Sequence, residues 1–231
     1  MKVGLLIALF LTSINSFGTT AQCDKSPLPD VRATTYYIAD EEKTSCRGRY
    51  AGRYYNGDER AEVLTPSGRV LAVVCKRFFR VLAMEGTGIL KDRGKGRFTV
   101  NWAGNYRFKK MTKCVHGEGV ASLCLIPYHT IAADLKSHPR NSVVYIPKAK
   151  GLIKPNGDVH NGYFLVRDTG GAFRDIGLSR IDLFVGDEND RDNIFSRAGI
   201  SHLKGEKAFR VTGKLKDEVV EEFKQKYPNL F

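Results

Sequence analysis

Asp168 and Asp182 are the two residues of this sequence whose type and spacing best suit acid–base chemistry. Asp168 follows a run of β-forming residues and precedes Thr169, Gly170 and Gly171, whereas Asp182 lies within a second such run. One strand would therefore deliver Asp168 to a glycine turn, and another strand would deliver Asp182. Glycines carry no side chain and tolerate a positive φ, so the backbone at Gly170 and Gly171 could come close to a bound ligand.

Two carboxylates brought together in this way would change each other's pKa. The like charge and any burial raise the pKa of one of them, so that this carboxyl group stays protonated enough to act as an acid. The spacing alone is equally consistent with a structural role. In that interpretation Asp168 caps the turn, and Asp182 makes a hydrogen bond at the end of a strand.

The elements that must position these residues are mainly strands. Short runs of β-forming residues, separated by Gly, Pro and Asp, predict a mostly β protein. The predicted strands are 33–38, 69–75, 78–84, 97–102, 142–146, 162–166 and 181–185.

Two helices are predicted near the C-terminal end. Leu215, Val219, Val220 and Phe223 recur at helical spacing, which predicts an amphipathic helix over 214–226 that packs on the β-structure. A shorter helix is predicted over 190–197, with Asp190 or Asp192 as its N-cap.

A change of composition marks a second lobe. Residues 46–113 are rich in Arg, Lys, Gly and aromatic residues, whereas the flanking segments resemble alternating strands. We therefore expect a small β-lobe over 46–113, inserted into a larger β-domain formed by 22–45 and 114–231.

The first 21 residues predict export. Lys2, the apolar run 3–11 and a Ser/Thr-rich end are typical of a signal peptide, cleaved here after Ala21. A membrane-spanning helix needs roughly 20 apolar residues, and this run is too short, so no transmembrane segment is expected after processing. Lipidation of Cys23 is disfavoured because Gln22 precedes it. The predicted location is the periplasm or the cell exterior.

The five cysteines suit an oxidising compartment. Cys114 and Cys124 flank a Gly-containing segment and are expected to pair across it. Cys46 and Cys75 would then form the second disulfide, with Cys23 left over. Spacing alone does not determine this connectivity.

The net charge and the motifs of the sequence indicate which class of partner the protein binds. Without Lys2, 36 Lys and Arg residues stand against 25 Asp and Glu residues, an excess of about 11 positive charges that favours polyanions. No nucleic-acid recognition motif is present, so the expected partner is an acidic polymer of the cell envelope. The histidines are scattered and no metal-binding spacing occurs, so no metal or cofactor is predicted. These histidines are His116, His129, His138, His160 and His202.

Residues 168–172 together with Asp182 resemble the Asp-x-Gly-Gly-Ala…Asp signature of the three-aspartate (3D) domain and of the membrane-bound lytic murein transglycosylase A family. Further segments resemble other parts of that family in the same order. They are 33–37, 84–88 with 100–105, and 131–134 with 141–147. Together these segments cover roughly residues 33 to 186.

The resemblance implies a six-stranded double-psi β-barrel with an inserted smaller β-lobe and peptidoglycan bound in the groove between them. It implies that Asp182 is catalytic and that Asp168 and Asp134 support it. No cofactor is implied, and a monomer is expected. Candidate sugar contacts are Thr34, Tyr36, Glu85, Gly170 and Gly171, with Trp102 as a contact or a packing residue.

Two departures from the family pattern leave alternatives open. Thirteen residues separate Asp168 and Asp182, which lengthens the loop beside the groove, and Glu85 stands where the transglycosylase commonly has Gln. Either change could alter the accepted sugar or let water compete in the reaction. A lysozyme-like hydrolase would use Glu85 or Asp168 as its second carboxylate. A glycan-binding module would use the groove without catalysis.

Overall fold

The computed structural model of the protein describes residues 24–187, 192–201 and 205–231. The predicted signal peptide, Cys23, Asp190 and His202 lie outside these described residues. No helix in the described part of the chain is long and apolar enough to cross a bilayer.

The described residues are mostly β, as the sequence predicts, with few helices. The strands are β1 (Lys25–Pro27), β2 (Val31–Tyr36), β3 (Ala39–Asp40), β4 (Gly48–Tyr50), β5 (Arg53–Tyr55), β6 (Arg60–Leu64), β7 (Val70–Cys75), β8 (Thr87–Leu90), β9 (Phe98–Trp102), β10 (Phe108–Lys110), β11 (Thr130–Ala133), β12 (Val143–Tyr145), β13 (Tyr163–Asp168), β14 (Arg180–Phe184), β15 (Gly205–Glu206) and β16 (Phe209–Val211). The α-helices are α1 (Lys76–Glu85), α2 (Ile194–Arg197) and α3 (Gly213–Lys226).

Eight strands form the larger sheet, in the order β1-β16-β12-β13-β11-β14-β2-β15. This sheet curls into a half-barrel. Strand β11 pairs in parallel with β13 on one side and antiparallel with β14 on the other, and β14 continues in parallel to β2. Strands β11 and β13 are buried along most of their length, which explains their almost continuous hydrophobic runs.

The core of the larger sheet lies on its inner face, where Ile131, Val166 and Leu183 from the three central strands are fully buried. On the other side, helix α3 packs Val219 and Phe223 against Leu165. The predicted C-terminal helix is therefore confirmed, and it begins one residue earlier than predicted.

The smaller sheet has the order β10-β9-β8-β3, and helix α1 packs on it. Two hairpins, β4–β5 and β6–β7, lie in the same part of the chain. Strand β3 joins this sheet although it precedes residue 46, and the exact limits of the two lobes stay a prediction. Disulfides Cys46–Cys75 and Cys114–Cys124 confirm the predicted pairing.

The predicted strand 78–84 is wrong, because these residues belong to helix α1. Phe78, Val81 and Leu82 are buried at helical spacing and pack into the smaller lobe. The run looks β-forming because it combines aromatic and β-branched residues. Gly86 ends the helix with a φ of 79°, a conformation that other residues rarely adopt.

The predicted short helix exists as α2, but its cap differs from the prediction. Asn193 caps it by accepting hydrogen bonds from the backbone N–H groups of Phe195 and Ser196, each at 2.9 Å. Asp192 instead pairs with Arg197 on the surface, at 2.6 Å. An amide side chain satisfies the same free N–H groups as a carboxylate, so composition did not distinguish the candidates.

Candidate active site

A cleft of about 690 Å³ lies between the two sheets. The larger sheet and its loops contribute Tyr36, Asp168 and Asp182, and the smaller lobe contributes Glu85 and Trp102. Both lobes therefore meet at the residues that the sequence predicts to act on a substrate.

Asp168 and Asp182 lie on the two strands that flank β11. Asp168 pairs with Ala132 from the parallel neighbour β13, and Asp182 pairs with Ala132 from the antiparallel neighbour β14. A small residue between them leaves both carboxyl groups free to face the cleft. Two aspartates separated by thirteen residues in sequence are thus brought to the same level of the sheet.

A β-bulge produces this register. Ile131 pairs with Val166, and the next pair is Ala132 with Asp168, so Arg167 is the extra residue on β13. Without the bulge Arg167, and not Asp168, would pair with Ala132. Bulges are common beside active sites because they redirect a side chain in this way.

Asp182 is held in place from the neighbouring strand. The hydroxyl of Thr34 donates a hydrogen bond to Asp182 Oδ1, and the two residues are paired in the parallel register of β2 and β14. Burial raises the pKa of Asp182 to about 6, and the positive charge of Arg180 opposes this rise. The Arg180 Nη2 atom lies 4.0 Å from Asp182 Oδ1.

Asp168 has a similarly perturbed carboxyl group. Burial raises its pKa to about 6, and the negative charge of Asp182 adds to the rise. The backbone N–H of Thr169, which donates to Asp168 Oδ1 at 2.8 Å, and the nearby hydroxyl of Tyr36 act in the opposite direction. Two carboxyl groups with a pKa near 6 can supply a proton and accept one close to neutral pH.

Tyr36 and Glu85 complete the surroundings of the two aspartates. Tyr36 is buried, with its ring 5.0 Å from that of Phe184, and burial together with the charge of Asp168 raises its pKa well above the usual value. Glu85 Oε2 accepts a hydrogen bond from the backbone N–H of Tyr37 at 3.2 Å. This bond ties the end of α1 to the larger sheet.

On the side of the cleft opposite the two aspartates, Asn101 is the centre of a hydrogen-bond network. Its Oδ1 atom accepts from the Thr87 hydroxyl at 2.6 Å and from the Glu118 N–H at 3.0 Å, and its Nδ2 atom donates to the Glu118 carbonyl at 2.8 Å. Lys109 forms an ion pair with the Glu118 carboxylate. These bonds fix the segment before Cys124 against the smaller sheet.

Trp102 lines the cleft and also packs within the smaller lobe. Its ring meets Tyr106 and Phe108 edge to face, with centroids at 5.3 and 5.6 Å. The packing interpretation from the sequence therefore applies to Trp102, and its place in the cleft lining keeps a contact with sugar as a prediction.

Asp134 does not line the cleft among the described residues. Its carboxylate accepts the backbone N–H groups of Gly177 and Lys136, each at 3.0 Å, and these hydrogen bonds lower its pKa. Gly177 lies in the loop between Asp168 and Asp182. Asp134 thus holds the long loop beside the groove instead of sharing a proton with the aspartate pair.

Gly170 and Gly171 line the cleft, and of the two properties expected from sequence, only the absence of a side chain applies to them. Gly170 has an extended backbone with a φ of −160°, and the φ of Gly171 is not positive either. A Cβ atom on Gly171 would meet nothing within 4 Å. The two glycines keep this wall free of side chains and do not relieve backbone strain.

Arg180 and the bulge at Arg167 are the features that the sequence did not reveal. Arg180 lines the cleft, and its Nε atom is buried without a hydrogen-bond partner among the described residues. Its position two residues before Asp182 on a strand was the available signal, because such residues share a face. Within the described chain, no three His, Cys, Asp or Glu side chains are grouped as metal ligands.

Comparison with known proteins gives the same fold. Residues 129–203 match the family model described as the 3D domain. Escherichia coli MltA with bound chitohexaose has a TM-score of 0.50 and 13% identity, over 79% of this chain and 71% of that chain. The membrane-bound lytic murein transglycosylase of Agrobacterium tumefaciens has the same score and identity, over 81% and 75%. No curated protein sequence matches. The resemblance predicted from the sequence is therefore confirmed.

Proposed function

We propose that this chain, which carries a match to the 3D domain and shares the fold of the lytic murein transglycosylases, is itself a peptidoglycan lytic transglycosylase. The bond that it cleaves is the β-1,4 bond between N-acetylmuramic acid and N-acetylglucosamine. The observation that carries this proposal is the pair Asp168 and Asp182, in register with Ala132 at a cleft and with pKa values of about 6.

Asp182 acts first as a general acid and then as a general base. The protonated carboxyl group gives its proton to the glycosidic oxygen, and the bond between that oxygen and C1 of N-acetylmuramic acid breaks. The carboxylate then takes the proton of the C6 hydroxyl group, whose oxygen bonds to C1 and closes a 1,6-anhydro ring. Both steps require a carboxyl group that titrates near working pH.

The neighbouring residues prepare Asp182 for this role. Thr34 fixes its orientation through the hydrogen bond to Oδ1, so Thr34 is a positioning residue. Repulsion between Asp168 and Asp182 disfavours ionisation of both carboxyl groups at once, so one member of the pair is held protonated. Tyr36, Glu85, Gly170 and Gly171 contact the glycan in the cleft, with Trp102 at its edge.

A lysozyme-like hydrolase is the second candidate because three carboxylates besides Asp182 line the cleft, those of Glu85, Glu118 and Asp168. Such an enzyme needs a nucleophile or a base for water in addition to the acid. Glu85 already accepts the N–H of Tyr37, which favours a structural role for it. A glycan-binding module without activity is less favoured, because buried carboxyl groups with raised pKa values are characteristic of active sites.

The finer architecture belongs to the same proposal. Six strands of the larger sheet form a double-psi barrel from residues 22–45 and 114–231, and residues 46–113 form the inserted lobe. The chain is exported, processed after Ala21, and acts as a monomer in the periplasm or outside the cell. The two disulfides support an oxidising compartment.

Digestion of purified peptidoglycan followed by mass spectrometry tests the activity. A lytic transglycosylase releases fragments with 1,6-anhydro-N-acetylmuramic acid ends, whereas a hydrolase releases reducing ends. Intact sacculi with bound protein would indicate a binding module. The Asp182→Asn variant, purified in parallel, controls for contaminating enzymes.

A further inference from the structure

Arg180 presents an unused hydrogen-bond donor beside the aspartate pair. Its Nε atom is buried and has no partner in the part of the chain that the structure describes. The guanidinium group lies 5.7 Å from the ring centre of Phe173, and its Nη2 atom is 4.0 Å from Asp182 Oδ1, too far for a hydrogen bond. The Nε atom itself is closed off from the cleft, but 28% of the Arg180 side chain is exposed and the residue lines the cleft, so the remaining donors of its guanidinium group can meet an acceptor that a ligand supplies.

The positive charge of Arg180 indicates that the acceptor on the ligand is negatively charged. Guanidinium groups match carboxylates with two parallel hydrogen bonds. The short separation from Asp182 means that the acceptor must lie on the sugar next to the bond that is cleaved. In a peptidoglycan strand N-acetylmuramic acid and N-acetylglucosamine flank that bond, and of the two only N-acetylmuramic acid carries a carboxyl group, in the lactyl group on its C3.

We propose that Arg180 binds the free lactyl carboxylate of N-acetylmuramic acid and thereby selects glycan strands from which the peptides have been removed. This inference rests on the proposed function. In strands that still carry peptides, the lactyl carboxyl group is an amide and has no negative charge. A reaction that hydrolyses this amide bond must therefore supply the preferred substrate.

Binding of a carboxylate at Arg180 also affects the acid. The groups that face Asp182 are Thr34 and Tyr36 from β2, Asp168 from β13 and Arg180 from its own strand. Glu85 from α1 lines the same cleft. Arg180 is the cation in this set and favours the ionised form of Asp182. A bound carboxylate offsets that positive charge, so Asp182 is more readily protonated in the complex.

The test compares two substrates that differ by one charge. Peptide-free glycan strands are used as prepared and after conversion of their lactyl carboxylates to methylamides. The proteins are the native chain, Arg180→Gln, Arg180→Lys, and Arg174→Gln as a matched control that removes one exposed arginine from the adjoining loop. Circular dichroism establishes that each variant is folded.

The native protein and Arg174→Gln should lose roughly ten- to a hundredfold in kcat/KM on the methylamide strands, the range expected for a hydrogen bond to a charged group. Arg180→Gln should cleave both substrates equally slowly, and Arg180→Lys should keep part of the preference. The alkaline limb of the kcat profile should lie at higher pH for the carboxylate substrate in the native protein. Equal cleavage of both substrates by the native protein, or an unchanged preference in Arg180→Gln, would overturn the proposal.

Calorimetric binding to Asp182→Asn separates this inference from the proposed activity. If no form of the protein cleaves glycan, binding still tests recognition by Arg180. Asp182→Asn should then bind the carboxylate strands more tightly than the methylamide strands, and the double variant that also carries Arg180→Gln should bind both equally. Equal binding of both strands by Asp182→Asn refutes that recognition, whatever the outcome of the cleavage assay.

Discussion

Asp168 and Asp182 face each other across Ala132, one on the parallel neighbour of β11 and the other on its antiparallel neighbour. This relationship makes Asp182→Asn the most direct test of the mechanism. The substitution preserves size and an acceptor for Thr34 but removes the titrating proton, so cleavage should fall by roughly 10²- to 10⁴-fold, the usual contribution of a general acid. Release of soluble fragments measures the loss, and near-native activity would refute the assignment.

The same variant should be more stable than the native protein at neutral pH. Burial raises the pKa of Asp182 from 3.8 to about 6, so the folded state binds more protons than the unfolded state between these values. Stability therefore falls as the pH rises from about 4 to about 6, and the loss persists above that range. Asp182→Asn removes the titration and should gain about 1 to 3 kcal/mol at pH 7.5.

Thermal melts at pH 4 and pH 7.5 measure this difference. The native protein and Asp182→Asn should differ least at the lower pH, where the carboxyl group is protonated in the folded state and near its midpoint in the unfolded state, so most of the loss of stability has not yet occurred. Their melting temperatures should separate at the higher pH. A variant that is less stable than the native protein at pH 7.5 would contradict the raised pKa.

Asp168→Asn should shift the pH profile instead of abolishing cleavage. The charge of Asp182 raises the pKa of Asp168. Because repulsion between two like charges is mutual, an uncharged residue at 168 should lower the pKa of Asp182. Cleavage requires the protonated acid and is lost as the pH rises through this pKa. The alkaline limb of kcat should therefore move to lower pH. An unshifted profile would mean that the two carboxyl groups do not interact.

The sequence predicted the acid pair but not how the fold assembles it. Residue types and the glycine turn made Asp168 and Asp182 candidates, and the resemblance to the 3D domain implied their roles, which stay a prediction although both residues line the cleft. The bulge at Arg167 was invisible, since an extra residue appears only when two strands are paired. The partners of Asp134 were invisible for a related reason, because one of its two backbone N–H donors, that of Gly177, lies 43 residues away in sequence. The predicted strand 78–84 failed because tertiary packing overrides local β-propensity.

Gly119 should be essential for the bulge. A Cβ atom here would lie 3.0 Å from Leu125 Cδ2 and closer still to the Arg167 carbonyl oxygen, so the backbone of β13 would have to shift. Gly119→Ala should therefore destabilise the protein by about 1 to 3 kcal/mol. Gly171→Ala is the matched control, because its Cβ atom meets open space. Urea unfolding compares the two, and equal stabilities would show that the bulge tolerates the displacement.

The net positive charge of the protein after Ala21 lies in one part of the chain. Residues 46–113 contain 16 Lys and Arg residues against 5 Asp and Glu residues, whereas the remainder after Ala21 contains 20 of each. Attraction to an acidic wall should therefore come from this segment, and screening should weaken it as salt is added. Binding of Asp182→Asn to sacculi should accordingly fall as the salt concentration rises.

Two double variants test which part of the chain attracts the protein to sacculi. Arg49→Gln with Arg69→Gln removes two exposed charges from the cationic segment, and Lys150→Gln with Lys207→Gln removes two exposed charges from the electrically balanced part. Co-sedimentation with sacculi at low salt should show roughly severalfold weaker binding for the first pair and little change for the second. At high salt the difference should vanish, because the ionic interactions are screened. Equal losses in both pairs would mean that net charge matters and that its position in the chain does not.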